Sequence, residues 1–272
     1  MDYLHANGLA PPILFAAAGV IGLRLECVMV DVLHTVDLGF ASHIIGNVLW
    51  WFFVVCAVLG GNNIEEKVAK CAANMQEWYK ATKCKYRLQG KLSEERLRAK
   101  GEWPKLKAKA AQTRYLARYA LYVAKRFAKL DSLNEFIKLH DELCVAACQL
   151  LVEFYDMLES QSAFLSDVAR ARLPTLANEL TSVYTRLSNL AYERKLKLWK
   201  LSPKMHLFLH LCLHQAILYG NPRYYWTYGD EDMVRILIGV ADMVHPKTLA
   251  QSLLFKWLWC VFDELLIDDD DE

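Results

Sequence analysis

Residues 24–61 read RLECVMVDVLHTVDLGFASHIIGNVLWWFFVVCAVLGG, and the way this stretch divides decides the fold. Its opening, Arg24–Val30, is a short apolar run that ends in a β-branched residue and stops at Asp31, the pattern of a buried strand. The run from Phe40 to Gly61 has 22 residues without Asp, Glu, Lys or Arg, long enough to cross a bilayer. Trp50 and Trp51 stand in its middle, however, where a membrane would place aromatic residues at the ends. His43 and Asn47 add polar groups inside the same span. The stretch therefore reads as a helix buried on all sides within a large helical domain, with a membrane anchor as the rival reading.

Working outward, the chain has 272 residues, 54% hydrophobic and 23% charged, which excludes disorder as a whole. Eight cysteines scattered without a tight pattern do not make a secreted disulfide scaffold. No Asn-x-Ser/Thr sequon occurs, and no Lys or Arg precedes the apolar run Pro12–Leu23, so no signal peptide is expected. A nuclear or cytoplasmic location follows as the expectation, with secretion excluded. Beyond Asp31 nearly everything reads as helix. Ser132-Leu-Asn-Glu135 is a capping box, and Leu173-Pro174, Ser202-Pro203 and His245-Pro246 each place Pro where a helix starts. Gly220-Asn221-Pro222 is a turn. The expected fold is mainly α with a small, incomplete β-sheet.

Charge is unevenly spread. Between Glu65 and Leu130 there are 18 Lys/Arg against 6 Asp/Glu, a local net of +12 in a chain whose total is +1. Lys80, Lys83, Lys85, Arg87, Lys105, Lys107, Lys109, Arg114 and Arg118 alternate there with Trp78, Tyr79, Tyr86, Trp103, Tyr115 and Tyr119. Cations that neutralise phosphates beside rings that stack on bases have the composition of a nucleic-acid surface. A solvated amphipathic helix pair is the plain alternative. Asp268–Glu272 reads as a disordered acidic end.

Few groups suggest chemistry. His206, His210 and His214 recur every four residues and share a helix face, but Leu207 stands where a zincin has Glu. Cys144 and Cys148 also share a face, as small core residues do. Cys-x-x-Cys, a Gly-rich phosphate loop and a Gly-x-Ser-x-Gly elbow are all missing from the sequence. Asp31 at a strand end and Glu231 at a helix start are carboxylates that folding could bring together around Mg²⁺ or Mn²⁺.

Two segments carry a family resemblance. Asp31-Val-Leu-His34-Thr-Val-Asp37-Leu-Gly39, followed by His43 and Trp50, resembles the Asp-x-(Leu/Met)-His segment of eukaryotic cut-and-paste transposases of the CACTA, KDZ and Plavaka-like group. Pro203-Lys204-Met-His206-Leu-Phe-Leu-His210, then Gly220-Asn-Pro222 and Trp226 with Glu231, is similar to their second segment. The resemblance implies a ribonuclease-H-like core in which a carboxylate triad holds two divalent metals for attack on a DNA phosphodiester. Asp31 then matches the second carboxylate and Glu231 the third, with His34, Asp37, His206 and His210 in support. The basic stretch would be a helical insertion that grips DNA.

The pattern also departs from the family. Upstream of Asp31 only Asp2 and Glu26 are acidic, neither at the family's position for the first carboxylate, and Val234 stands where relatives often carry His. The expectation is a truncated or host-retained transposase core, interrupted by a large insertion and catalytically incomplete. Its divisions would be 1–62 (core strand and buried helix), 63–200 (basic insertion), 201–267 (closing core helices) and 268–272 (acidic tail). DNA and a second copy of the chain are the partners this reading allows; a membrane is not expected. The rival from another class is a helical protein-interaction module in which Asp31 and Glu231 are ordinary helix caps.

Overall fold

The computed structural model describes residues 29–242, 244–255 and 258, and every regular element among them is a helix. This overturns the expected sheet and, with it, the truncated ribonuclease-H-like core. Of the strand expected over Arg24–Val30, only Met29 and Val30 fall within the described residues, and both are irregular. The Val30 N–H donates to Gln215 Oε1 at 2.9 Å, and the Val30 carbonyl accepts from Gln215 Nε2 at 3.4 Å. One side-chain amide thus satisfies the two backbone groups that a neighbouring strand would otherwise pair.

The chain divides into two compact units, the first ending at Tyr225 and the second starting at Trp226. In the first unit the apolar stretch forms α1, Leu33–Val55. Its middle, Ala41–Leu49, is α-helical, while Leu33–Phe40 and Trp50–Val55 are wider turns with i to i+5 bonds such as Ala41 N–H to Val36 O. By length and composition α1 could cross a membrane, yet 83% of its most apolar window is buried by the rest of the protein. Ile44, Ile45, Val48, Leu49 and Phe52 are fully enclosed.

The enclosing helices are α2 (Ile64–Thr82), a short α3 (Glu94–Leu97), α4 (Ala110–Phe127), α5 (Glu135–Ser160) and α6 (Asp167–Glu193). Next comes α7, which opens as Pro203–His210, widens over Leu211–Gln215 and ends as Ala216–Tyr219. α1 touches α2, α4, α5 and α7; α5 runs along α4 and α6. Phe40 (α1), Phe154 (α5), Tyr184 (α6) and Phe208 (α7) form a chain of ring contacts at 5.0–5.3 Å that joins these helices.

Two helix starts differ from expectation. The cap of α5 is Asn134, whose side chain accepts from Phe136 and Ile137 N–H, rather than Ser132. Pro174 lies inside α6, which is opened earlier by Ser166 through its bond from Ala169 N–H. Pro203 does open α7, and Gly220 ends it at φ 89°, a left-side conformation that suits glycine. A β-carbon there would meet the Ala163 carbonyl at 2.4 Å.

The second unit contains α8, Tyr228–Ala241, and a 3₁₀ turn at Pro246–Thr248 that begins at the expected proline. Trp226 and Tyr228 meet edge to face at 5.0 Å at its start. The acidic tail 268–272 lies outside the described residues.

Candidate nucleic-acid interface

Asn47 is fully buried in the middle of α1, and its amide holds two distant segments. Its Nδ2 donates to His43 O at 2.7 Å and to Pro104 O at 3.3 Å; its Oδ1 accepts from Trp199 N–H at 2.8 Å. The polar group that argues against a membrane span is therefore satisfied by the protein itself. Segment 103–107 lies directly on the helix: Leu106 N–H donates to Ser42 O at 2.9 Å, and a β-carbon at Gly46 would meet the 105–106 backbone at 2.6–2.8 Å. Trp199 is held on three sides. Besides its bond to Asn47, its indole donates to His140 Nε2 at 2.9 Å, and its ring meets Tyr184 at 5.5 Å. These contacts keep it at φ 58°, a conformation that is strained for a bulky residue.

The residues beside the two pinned points are lysines. Lys105 follows Pro104, and Lys200 follows Trp199. Both line a cavity of about 250 Å³ together with His43, Glu102, Trp103 and Lys107. Lys204, at the start of α7, lies across Gly39 and joins the same electrostatic group. Lys105 is pushed below the usual lysine value, first by burial and then by the ammonium groups of Lys204 and Lys200. His43 is lowered to about 4, again chiefly by burial and then by Lys105, and its Nδ1 is buried without a hydrogen-bond partner among the described residues. No described carboxylate lies within 4.0 Å of Lys105, Lys200 or Lys204. Lys107 does have one, Glu95 at 3.6 Å. The fold thus gathers repelling cations with little opposite charge, an arrangement suited to an external anion.

The remaining basic residues expected in this role are placed differently. Arg118 pairs with Asp156 at 2.5 Å, and Arg114 lies 3.9 Å from Glu159. Arg87 donates to Cys84 O and lies over the Tyr79 ring. Lys80, Lys83, Lys85 and Lys109 are exposed, at the end of α2, in the loop after it and just before α4. Of the accompanying rings, Tyr79 and Tyr119 are buried and Tyr86 stacks on Tyr115 at 4.3 Å; Trp103 lines the lysine cavity.

The carboxylates and histidines expected at a metal site have other roles among the described residues. Asp31 caps the start of α1: Oδ1 accepts Leu33 N–H at 3.0 Å, and Oδ2 accepts His34 N–H at 2.8 Å and lies 2.6 Å from His34 Nδ1. Asp37 is buried and accepts the Tyr155 hydroxyl at 2.6 Å. His206 and His210 are exposed on α7 with their Nε2 atoms 3.0 Å apart, so one ring donates to the other; His214 continues the row, its ring 5.5 Å from that of His210. Glu231 is in α8 of the second unit, and its side chain lies outside the described residues. No cluster of three His, Cys, Asp or Glu side chains among the described residues is placed to hold a metal ion.

Lys197, Lys200 and Lys204 were not among the expected contacts, because they lie about 95 residues from Lys105 and outside the cation-rich run Glu65–Leu130. A signal did exist. Lys195-Leu-Lys197-Leu-Trp199-Lys200-Leu201 alternates cation and apolar residue, the pattern of an extended segment with one wet side. No family model, no curated protein and no solved structure matches this chain.

Proposed function

We propose that the first unit is a helical nucleic-acid-binding module, the phosphate-gripping part of a transposase-like protein, with Lys105, Lys107, Lys200 and Lys204 as its principal contacts. The observation that carries this reading is the convergence, on the buried Asn47, of two segments that set Lys105 and Lys200 side by side with no described carboxylate within 4.0 Å of either. Such an arrangement opposes folding through self-repulsion and gains when a polyanion supplies the missing charge. The resemblance of the Asp31 and Pro203 segments to transposases supports DNA as the polymer.

The test is fluorescence anisotropy with a labelled oligonucleotide over salt from about 50 to about 200 mM, where four phosphate contacts give a log–log slope of about −3 to −4. Replacing Lys105, Lys200 and Lys204 together by Ala is expected to flatten that slope by about 2 to 3. A flat salt response, or a triple variant that binds like the parent, overturns the reading.

A further inference from the structure

A second groove adjoins the lysine cavity, with Trp103 in the lining of both. It encloses about 510 Å³ between Trp103 and the last turn of α6, and its walls include Tyr192, Leu196, Leu198 and Lys195, with Glu193 as the acidic member. The Tyr192 side chain is 84% exposed, an unusual state for a large ring next to an apolar wall. Neither Tyr192 nor Trp103 meets another ring among the described residues, whereas Trp78, Tyr79, Tyr86, Tyr115 and Tyr119 all make ring contacts. The Lys197 ammonium lies 5.9 Å from the Trp103 ring centre and is held there by a bond to Gly101 O.

We infer that this groove receives an unpaired base, so that the chain prefers single-stranded nucleic acid to duplex. The inference rests on the nucleic-acid reading above and names its substrate class. The argument is one of adjacency and charge. A strand whose phosphates lie along Lys105, Lys107 and Lys200 passes the shared Trp103, and its next base meets an aromatic-walled slot edged by Lys195 and Lys197. Stacking of that kind is open to any base, because every base has a π-face, but the bases of a duplex are already stacked and paired. Phosphate contact alone, by contrast, does not distinguish the two forms strongly.

The experiment measures binding of the full chain to three probes of equal length: an oligo-dT strand, an oligo-rU strand and a mixed-sequence duplex. Single strands are expected to bind at least about tenfold more tightly than duplex. Tyr192→Ala, at an exposed position that does not endanger the fold, is expected to remove most of that preference while leaving duplex affinity unchanged. Tyr192→Phe restores it, since the ring and not the hydroxyl does the stacking. Comparison of dT with rU shows whether DNA or RNA is the better strand. Equal binding of strand and duplex, or a Tyr192→Ala variant with parental preference, overturns the inference while leaving phosphate binding intact. Failure to bind any of the three overturns both readings.

Discussion

Arg114 and Arg118 on α4 and Lys105 and Lys200 beside Asn47 are all cations on one helical unit, yet they differ in what surrounds them. The arginines face Glu159 and Asp156 from α5, so their charge is spent within the protein. The lysines face one another across a cavity, and Lys105 is less basic as a result of burial and its neighbours. A count of +12 along the chain treats the two groups alike. In space, the first helps bind two helices together, while the second leaves a potential open to a ligand.

The contrast can be broken most severely at its support. Asn47→Leu removes the partners of Trp199 N–H and Pro104 O in a dry interior, and a loss of about 3–5 kcal/mol is expected in urea unfolding. Gly46→Ala acts at the same place by pushing the 105–106 backbone off α1. If either variant kept parental stability, the lysine segments could not be regarded as pinned.

Acid comes next. His140 is held neutral by burial, its value lowered to about 3, and the folded chain refuses protons that the unfolded chain accepts below about 6.5. Stability is therefore constant in this respect above that pH and falls by about 1.4 kcal/mol per unit below it, down toward 3. His43 adds a contribution of the same sign, about half as large because it is partly exposed. Asp141 works in the opposite direction: burial raises it, so its protonation at the acid end returns some stability. Urea midpoints at a series of pH values from neutral to acid measure the slope, and a flat profile would contradict the buried neutral state of His140.

The two smaller effects sharpen the comparison directly. The triple Ala variant at Lys105, Lys200 and Lys204 is expected to lose about a hundredfold in affinity at low salt, or about 2.7 kcal/mol, with thermal stability at or above that of the parent, since the mutual repulsion is removed. Arg118→Ala is expected to cost less than about 1 kcal/mol of stability and to leave binding within about twofold. The reverse result, with Arg118 governing affinity, would return the interface to α4.

How much of this was legible in the sequence follows the range of the interactions involved. A buried helix was legible over Phe40–Gly61 because its polar exceptions, His43 and Asn47, stood out in a local pattern, but the helix itself runs from Leu33 to Val55. The irregular end of the expected strand, Met29–Val30, was not legible because the group that satisfies Val30, Gln215, is 185 positions away and looks like any surface amide. The same limit split the lysine group. Lys105 and Lys107 were found by local charge density, but Lys200 comes beside them through the Asn47 bond to Trp199, and Lys204 through the packing of α7 on Gly39. Asp31 and His34 were visible as a pair, and their separation of 2.6 Å is the geometry of a helix cap as much as that of a metal ligand.

Asn47 also has a thermodynamic meaning. Because one buried amide joins the core helix to both cation-bearing segments, a ligand bound at those segments resists the opening of the whole unit. Saturation then appears as a rise in global stability, about 2.7 kcal/mol at a hundredfold excess over Kd, and not as the quieting of a loop. In hydrogen exchange such a protein would show its ligand in the slowest amides of α1, far from any atom the ligand touches.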